Sequence, residues 1–574
     1  MFKTIKQNLL IAIILFTVPF LSFSQKDNKE APKNWHQLDQ KESGYYGISL
    51  DKAYQFLKTK KSKPVVVAVI DSGIDTLHED LKPILWQNPR EIPNNGKDDD
   101  KNGYVDDVHG WNFIGGKDGR NVKEDSYEGA RVYHKLKLKF GEITPDENGL
   151  SEKEKKDVEM YKKVKAKIEA DGNPPVDLVF MNRIYQSLHQ ADSILQLGMN
   201  KKVFTGNELD NFIPQDSETK KSKAALFQLM KANNSLDQTN KDFMEGFDSY
   251  LKGEQRKKDQ KTTPPVDYRG EIVKDDESNI DDKYYGNKDI MAGTPFHGTH
   301  CSGIIAAVRN NGKGVDGIAD NVRIMMIRAV PDGDEHDKDI ATAIRYAVDN
   351  GARVISMSFG KEFSPQKQWV DEAVKYADSK GVLMVHAAGN DGKNIDSADN
   401  FPNPVYADGS GRAHSFITVG ASGDPSNGGI VANFSNYGKK EVDVFAPGVK
   451  IYSTVPGGNT YGNASGTSMA CPVVAGVAAL IMEYFPSLSA QQVKYIIEKS
   501  AVPLNEKVKL PGTPGAAEIE NDSKGQMVNL SDISKSGGIV NAYEAVKLAA
   551  TMTGNNTVQP LIKVKTKIKQ KRLS

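Results

Sequence analysis

Two cysteines, Cys301 and Cys471, are all that 574 residues carry. That excludes a disulfide scaffold. An excess of one charge is missing too, since 75 Lys and Arg balance 75 Asp and Glu. A neutral chain has no global field to draw it onto a polyanion, so no nucleic-acid partner is expected. The H-E-x-x-H pattern of helical zinc sites does not occur. Beyond the first two dozen residues no segment is expected to lodge in a membrane, where a spanning helix takes about 20 apolar residues. A composition of 38% hydrophobic and 26% charged residues is that of an ordinary globular chain. Its length allows one large domain plus additions.

The first 24 residues read as an address. Lys3 and Lys6 precede the apolar stretch Leu9 to Phe23, and Ser22 and Ser24 are small residues at the −3 and −1 positions of a cleavage site before Gln25. An uncleaved anchor is the other reading, but the stretch is short for one. No cysteine lies near the cleavage point, so no lipid anchor is expected. The chain is expected to be exported, periplasmic or secreted, with no integral membrane segment after signal removal.

Residues 25–63 are polar and lysine-rich, with a helical stretch from Ile48 to Leu57 that Ser49 is placed to cap. Val65 to Ile70 is then an unbroken apolar run. Such a run suits a strand covered on both faces, and therefore a parallel sheet. Arg323–Val330, Arg353–Ser358, Val382–Ala388 and Phe416–Gly420 repeat the pattern, with helical spacing in Asp337–Asn350 and Gln366–Lys380 between them. The expected fold class is α/β, a parallel sheet flanked by helices, with chemistry at the carboxyl ends of the strands. The catalytic region is read as 64–123 plus 264–551, and 552–574 as a basic tail. Residues 124–263 interrupt it with polar sequence that keeps apolar faces, such as Val158, Tyr161, Val164 and Ile168, and a capping box at Thr205 and Glu208. Four or five helices are expected there. A disordered linker is the alternative, which the repeated faces oppose.

Three residues carry the candidate chemistry. Ser468, in Gly466-Thr467-Ser468-Met469-Ala470, opens an apolar helix whose unpaired N–H groups suit a developing oxyanion. A helix cap is its ordinary reading. His297 opens a second apolar helix in His297-Gly298-Thr299-His300, and His300 reads as a buried structural residue. Asp71 ends the Val65 strand, where a carboxylate needs hydrogen bonds or a cation. An imidazole is one such partner.

Taken together these segments resemble the subtilisin-like serine proteases. The matching pieces are Ala68-Val69-Ile70-Asp71-Ser72-Gly73, the His297 segment, and Gly466-Thr467-Ser468-Met469-Ala470-Cys471-Pro472. The order Asp, His, Ser is the one subtilisins carry. The resemblance spans roughly 34–125 and 265–551. It implies a serine endopeptidase acting on proteins or peptides, with Asp71, His297 and Ser468 as catalytic triad and no cofactor for the chemistry. In Ala387-Ala388-Gly389-Asn390 it implies that Asn390 is an oxyanion donor, where a turn asparagine is the plain reading. It also implies that Ser358, Phe359 and Gly360 form one wall of the substrate pocket and Ala387, Ala388 and Gly389 the other.

Two departures stand out. Asp71 and His297 lie 226 positions apart, where the family needs a few tens. The helical insertion fills the difference and is read as a lid or docking surface. The stretch before Asp71 is also too short for a separate folded pro-segment. Asp98, Asp100, Asn102, the Tyr104 carbonyl and Asp106 resemble the start of a calcium loop, so calcium is a candidate structural ion. A solvated acidic turn is the alternative, and His109 stands where an EF-hand has its closing Glu. Cys301 and Cys471 are expected as two buried thiols. Three other readings compete with this one. A nucleotide-binding protein lacks a G-x-G-x-x-G turn after the Val65 strand. A serine-carboxyl peptidase would use a Glu base. A catalytically weak binding protein would use the helical insertion.

Overall fold

The seven residues of β1 (Val65–Asp71) are all buried, as a strand with no polar alternation requires. The structure is a computed structural model that describes residues 31–142, 148–170, 177–233, 235–236, 238–293, 295–425, 429–512 and 526–556. The first 24 residues, read from sequence as a signal, and the tail beyond 556 lie outside them. The described residues form two compact units, Ala31–Asp125 with Asp267–Tyr461 and Gly466 onward, and Ser126–Val266 with Gly462–Ser465.

The first unit is built on one sheet. Its strands are β1, β2 (Gly110–Asn112), β3 (Val322–Arg328), β4 (Val354–Met357), β5 (Leu383–Ala387), β6 (Phe416–Ser422) and β7 (Val444–Pro447), with Gly538–Ile539 and Val502–Pro503 beyond β7. The order runs Val502–Pro503, Gly538–Ile539, β7, β6, β5, β4, β1, β3, β2. Every pairing is parallel except the one between the two short strands. The four strands expected after β1 are all present, with ends moved by at most two residues. β2 and β7 were not anticipated, being too short to show a period. Helices Asp337–Asp349 and Lys367–Ser379 pack on each other and join Val66, Ala68 and Ile70 in one core.

Ile70 stands opposite Met357, and Met357 opposite His386. The carboxyl ends of β1, β4 and β5 are therefore level, and Asp71, Ser358 and Ala387 emerge side by side. Helices Phe296–Ala306 and Thr467–Tyr484 pack against each other and against these strands. Thr467–Tyr484 is the one helix among the described residues long and apolar enough by composition to cross a membrane, which the sequence reading passed over. Of its 18 residues 89% are buried within the protein.

Ser49 does not cap the helix Leu50–Leu57. Its φ is 56°, and its hydroxyl donates to Asp39 Oδ2 at 2.9 Å and accepts from Asn541 Nδ2 at 2.9 Å. The local signal was outbid by a partner 492 positions away.

The second unit is helical among its described residues. Glu128–Phe140, Glu152–Ala170, Leu178–Gly198, Gly206–Asn211, Ser217–Ala232 and Asn240–Asp259 are six helices, one more than the sequence reading allowed. The one that no expected feature marks is Glu128–Phe140, while the short Gly206–Asn211 carries the expected Thr205–Glu208 capping box. Asp216 and Thr239 accept from backbone N–H groups at the starts of the next two helices. Leu195, Phe204, Leu226, Met230 and Phe247 share one apolar cluster. Val158, Tyr161, Val164 and Ile168 are buried, as their spacing predicts.

Candidate active site

Asp71 leaves β1 with its carboxylate buried. Its Oδ1 accepts from Ser72 N at 2.7 Å and lies 2.8 Å from His297 Nδ1. Two chain segments separated by the whole insertion thus meet in one hydrogen bond. Gly298 makes the approach physical, since a Cβ there would fall 2.2 Å from the Gly73 carbonyl oxygen and 3.1 Å from Asp71 Cβ. Any larger residue would push the His297 helix away from β1. The His297 side chain keeps 37% of its surface exposed while Asp71 keeps 2%. Burial alone would lower the imidazole pKa, but the charge and hydrogen bond of Asp71 outweigh it and hold His297 above its ordinary 6.5.

Ser468 is the second residue of Thr467–Tyr484. Pro472 lies inside this helix and has no N–H, so the Ser468 carbonyl loses its i+4 donor. Two other groups take it up. Ser358 Oγ donates to Ser468 O at 3.0 Å and Cys301 Sγ does so at 3.3 Å. In return Ser468 Oγ donates to Ser358 O at 3.0 Å. The turn bearing Ser468 is therefore tied to the end of β4 and to the His297 helix. The Ser468 hydroxyl is held on Ser358, and no hydrogen bond joins it to His297 here. Such contacts are often absent before substrate binds.

Asn390 follows β5. Its Oδ1 accepts from Thr467 N at 2.8 Å and Thr467 Oγ1 at 3.0 Å, which turns the Nδ2 donor the other way. A Cβ built on Gly466 would sit 3.6 Å from both Asn390 Nδ2 and Ser468 N. The two donors thus border one small space, which glycine leaves open.

Ser358, Phe359 and Gly360 extend β4, and Ala387, Ala388 and Gly389 end β5. Two asparagines that no motif marked brace them. Asn400 Nδ2 donates to the carbonyls of Ala387 and Ala388 at 3.2 and 3.0 Å, and Asn436 Nδ2 donates to Ala388 at 2.8 Å. Their only sequence signal is that each lies in a polar loop, which is too weak to single them out. His386 Nε2 lies 2.8 Å from Phe359 O, and burial pushes this imidazole down to about 4, so it stays neutral and donates.

Cys301 and Cys471 are buried and unbonded to each other. Burial raises the Cys301 thiol well above its usual range and pushes Cys471 up to about 11. Both remain S–H donors rather than thiolate nucleophiles. His300 is fully buried.

Among the described residues, two groups of side chains have the spacing of metal ligands, Asp71 with His297 and Cys301, and Glu91 with Asp98 and Asp100. The second gathers only part of the set read from sequence. Asp106 faces elsewhere, accepting from Asn95 N, Gly96 N and Lys288 Nζ. Asn102 spends its side chain on Asp107 Oδ2 and Tyr104 N.

Comparison with known proteins is consistent with this geometry. The model of the subtilase family matches residues 62–531. A thermophilic serine proteinase from Bacillus sp. (strain AK1) is 45% identical over 186 residues, 32% of this chain and 42% of that protein. Thermitase from Thermoactinomyces vulgaris is 41% identical over 206 residues, 36% of this chain and 67% of that protein. Subtilisin DY from Bacillus licheniformis is 39% identical over 238 residues, 40% of this chain and 81% of that protein. The family match spans both arms of the sheet unit on either side of the helical insertion, and this chain belongs to the subtilase family.

Proposed function

We propose that the protein is an exported serine endopeptidase that hydrolyses peptide bonds in protein or peptide substrates. The observation that carries it is the 2.8 Å contact between His297 Nδ1 and Asp71 Oδ1, beside the helix that opens at Ser468. Family membership and serine proteinase relatives support the same reaction class. In this reading Ser468 Oγ leaves the Ser358 carbonyl and donates to His297 Nε2. His297 takes the proton as Oγ attacks the scissile carbonyl carbon, and Asp71 fixes the tautomer and stabilises the imidazolium. The oxyanion accepts from Ser468 N and Asn390 Nδ2. His297 then passes the proton to the leaving amine, and a water repeats the sequence on the acyl-enzyme. Ser358, Phe359 and Gly360 would pair with an extended substrate backbone, opposite Ala387, Ala388 and Gly389. Strand addition of this kind favours unfolded segments.

A second reading has one observation behind it. Ser468 Oγ is bonded to Ser358 O rather than to His297, as in a protein that binds peptides and turns them over weakly. A serine-directed phosphonate separates the two. Stoichiometric labelling that disappears in Ser468→Ala, with casein hydrolysis lost alongside it, supports the peptidase. No labelling of the wild type favours the binder.

A further inference from the structure

The insertion parts Asp71 from His297 in the chain, and one buried side chain ties the two ends of the gap together. We propose, on the peptidase reading above, that Arg328 is a positioning residue that fastens the turn after Asp71 to the segment before His297. Arg328 ends β3 and stands opposite Asp71 in β1 and Asn112 in β2. It is 1% exposed. Its Nε donates to Ser72 O at 3.1 Å and to Ala292 O at 3.0 Å, its Nη1 donates to Asn112 Oδ1 at 3.1 Å, and its Nη2 donates to Val122 O. Ser72 follows Asp71, Asn112 and Val122 precede the insertion, and Ala292 comes after it on the approach to His297. One guanidinium thus joins chain from both sides of the insertion to the turn that carries Asp71.

A cation taken out of water is costly unless it is paired, yet none of these four acceptors is a carboxylate. Burial pulls the guanidinium pKa down to about 10, against the opposing charge of Asp289. A well-packed apolar side chain avoids that cost, so filling space does not account for an arginine here. What a guanidinium adds is a rigid planar fork with donors in several directions. Glycine makes room for it. A Cβ on Gly293, at φ 77°, would fall 2.5 Å from Arg328 Nη2, and one on Gly73, at φ 119°, would fall 3.5 Å from Arg328 Cδ and 2.7 Å from Ile290 O. Ile74 N donates to that same Ile290 carbonyl at 2.9 Å. The Asp71 turn and the Ile290–Gly293 segment therefore meet directly, with Arg328 bonded to both. Ser72 N also donates to Asp71 Oδ1, at 2.7 Å, so a turn that shifts carries the carboxylate away from His297.

The test reads His297 itself. Parent, Arg328→Gln and Arg328→Lys are prepared as full chains carrying Ser468→Ala, and the His297 ring is titrated by NMR, its resonance assigned by its loss in His297→Gln. Among the described residues Asp71 and Cys301 face this ring, each with an atom within 4.8 Å of its nitrogen, and Asp71 holds the pKa above 6.5. Removing a nearby positive charge would by itself raise that pKa, whereas a lost Asp71 contact lowers it. Arg328→Gln should therefore lower the His297 pKa, and Arg328→Lys, which keeps the charge without the fork, should lower it as well. In chains that keep Ser468, kcat on a peptide amide should fall by about 10²-fold, the scale of a misplacement of about 1 Å, with KM nearly unchanged. A His297 pKa that stays at the parent value or rises, with only the melting temperature reduced, would overturn the positioning role. Arg328→Lys decides this where Arg328→Gln does not fold. The ring titration needs no turnover, so a parent that cleaves no casein sinks the peptidase reading while the ring still decides on Arg328.

Discussion

The sheet unit and the helical unit of this chain solve the burial problem in opposite ways. β1 is seven buried residues without a polar break, ended by a buried carboxylate. The helix Asn240–Asp259 is polar on most positions and buries one stripe, including Phe243, Phe247 and Leu251. A strand in the middle of a parallel sheet has both faces covered, and its polar residues are left to its ends. A helix on a small cluster needs one apolar face, and its exposed termini need caps. The same chain therefore gathers its candidate reactive groups around the ends of strands and gives the insertion helices with one buried apolar stripe beneath a polar surface. Mutations in one unit should strike chemistry and in the other stability.

The largest expected effect is that of Ser468→Ala, about a 10⁶-fold fall in kcat, the scale established for the nucleophile of a subtilisin. Measured on a peptide amide, a loss of less than tenfold would break the contrast at its strongest point. Asp71→Asn should lower kcat by about 10⁴-fold, because the wrong tautomer of His297 is then favoured. The wild-type pH profile bears on the same pair. His297 must be neutral to accept a proton, and Asp71 holds its pKa above 6.5. The acid limb of kcat/KM should therefore rise with pH through a midpoint above 6.5, and fall to a lower midpoint in Asp71→Asn. Asn390→Ala should cost about 10²–10³ in kcat with little change in KM, the range known for this donor in a subtilisin.

In the helical unit Phe247, 2% exposed, should lose about 3–5 kcal/mol of that unit's stability when cut to Ala. Hydrolysis of a small peptide amide should survive. A single shared melting transition, with activity lost in step, would show that the two units do not behave separately. Thr205→Ala is the mildest change. Loss of the capping box should cost about 1 kcal/mol, read as a small shift in the same helical transition.

Much of this was legible beforehand because the signals are local. A run of Val and Ile needs no knowledge of its neighbours to read as a buried strand. Thr205 and Glu208 satisfy each other across three residues, so their cap could be read from spacing. Ser49 shows the limit of the same logic. It had the right chemistry for a cap, but Asp39 and Asn541 claimed its hydroxyl. Asn400 and Asn436 carry no mark in the sequence, because what they brace is the carbonyls of another loop.

The sequence by itself determined the α/β class, the buried strands at whose carboxyl ends chemistry is expected, the three candidate side chains and the polar insertion that separates the first of them from the second. Each rests on periodicity, capping or a short motif, which act over a few residues. Only the tertiary structure decided that Glu91 rather than Asp106 joins Asp98 and Asp100, and that Asp106 turns to Lys288 across 182 positions. It alone decided that the carbonyl freed by Pro472 is taken up by Ser358 and Cys301. A side chain with several acceptable partners settles on the one that packing brings within about 3 Å, and that choice is made by the whole fold.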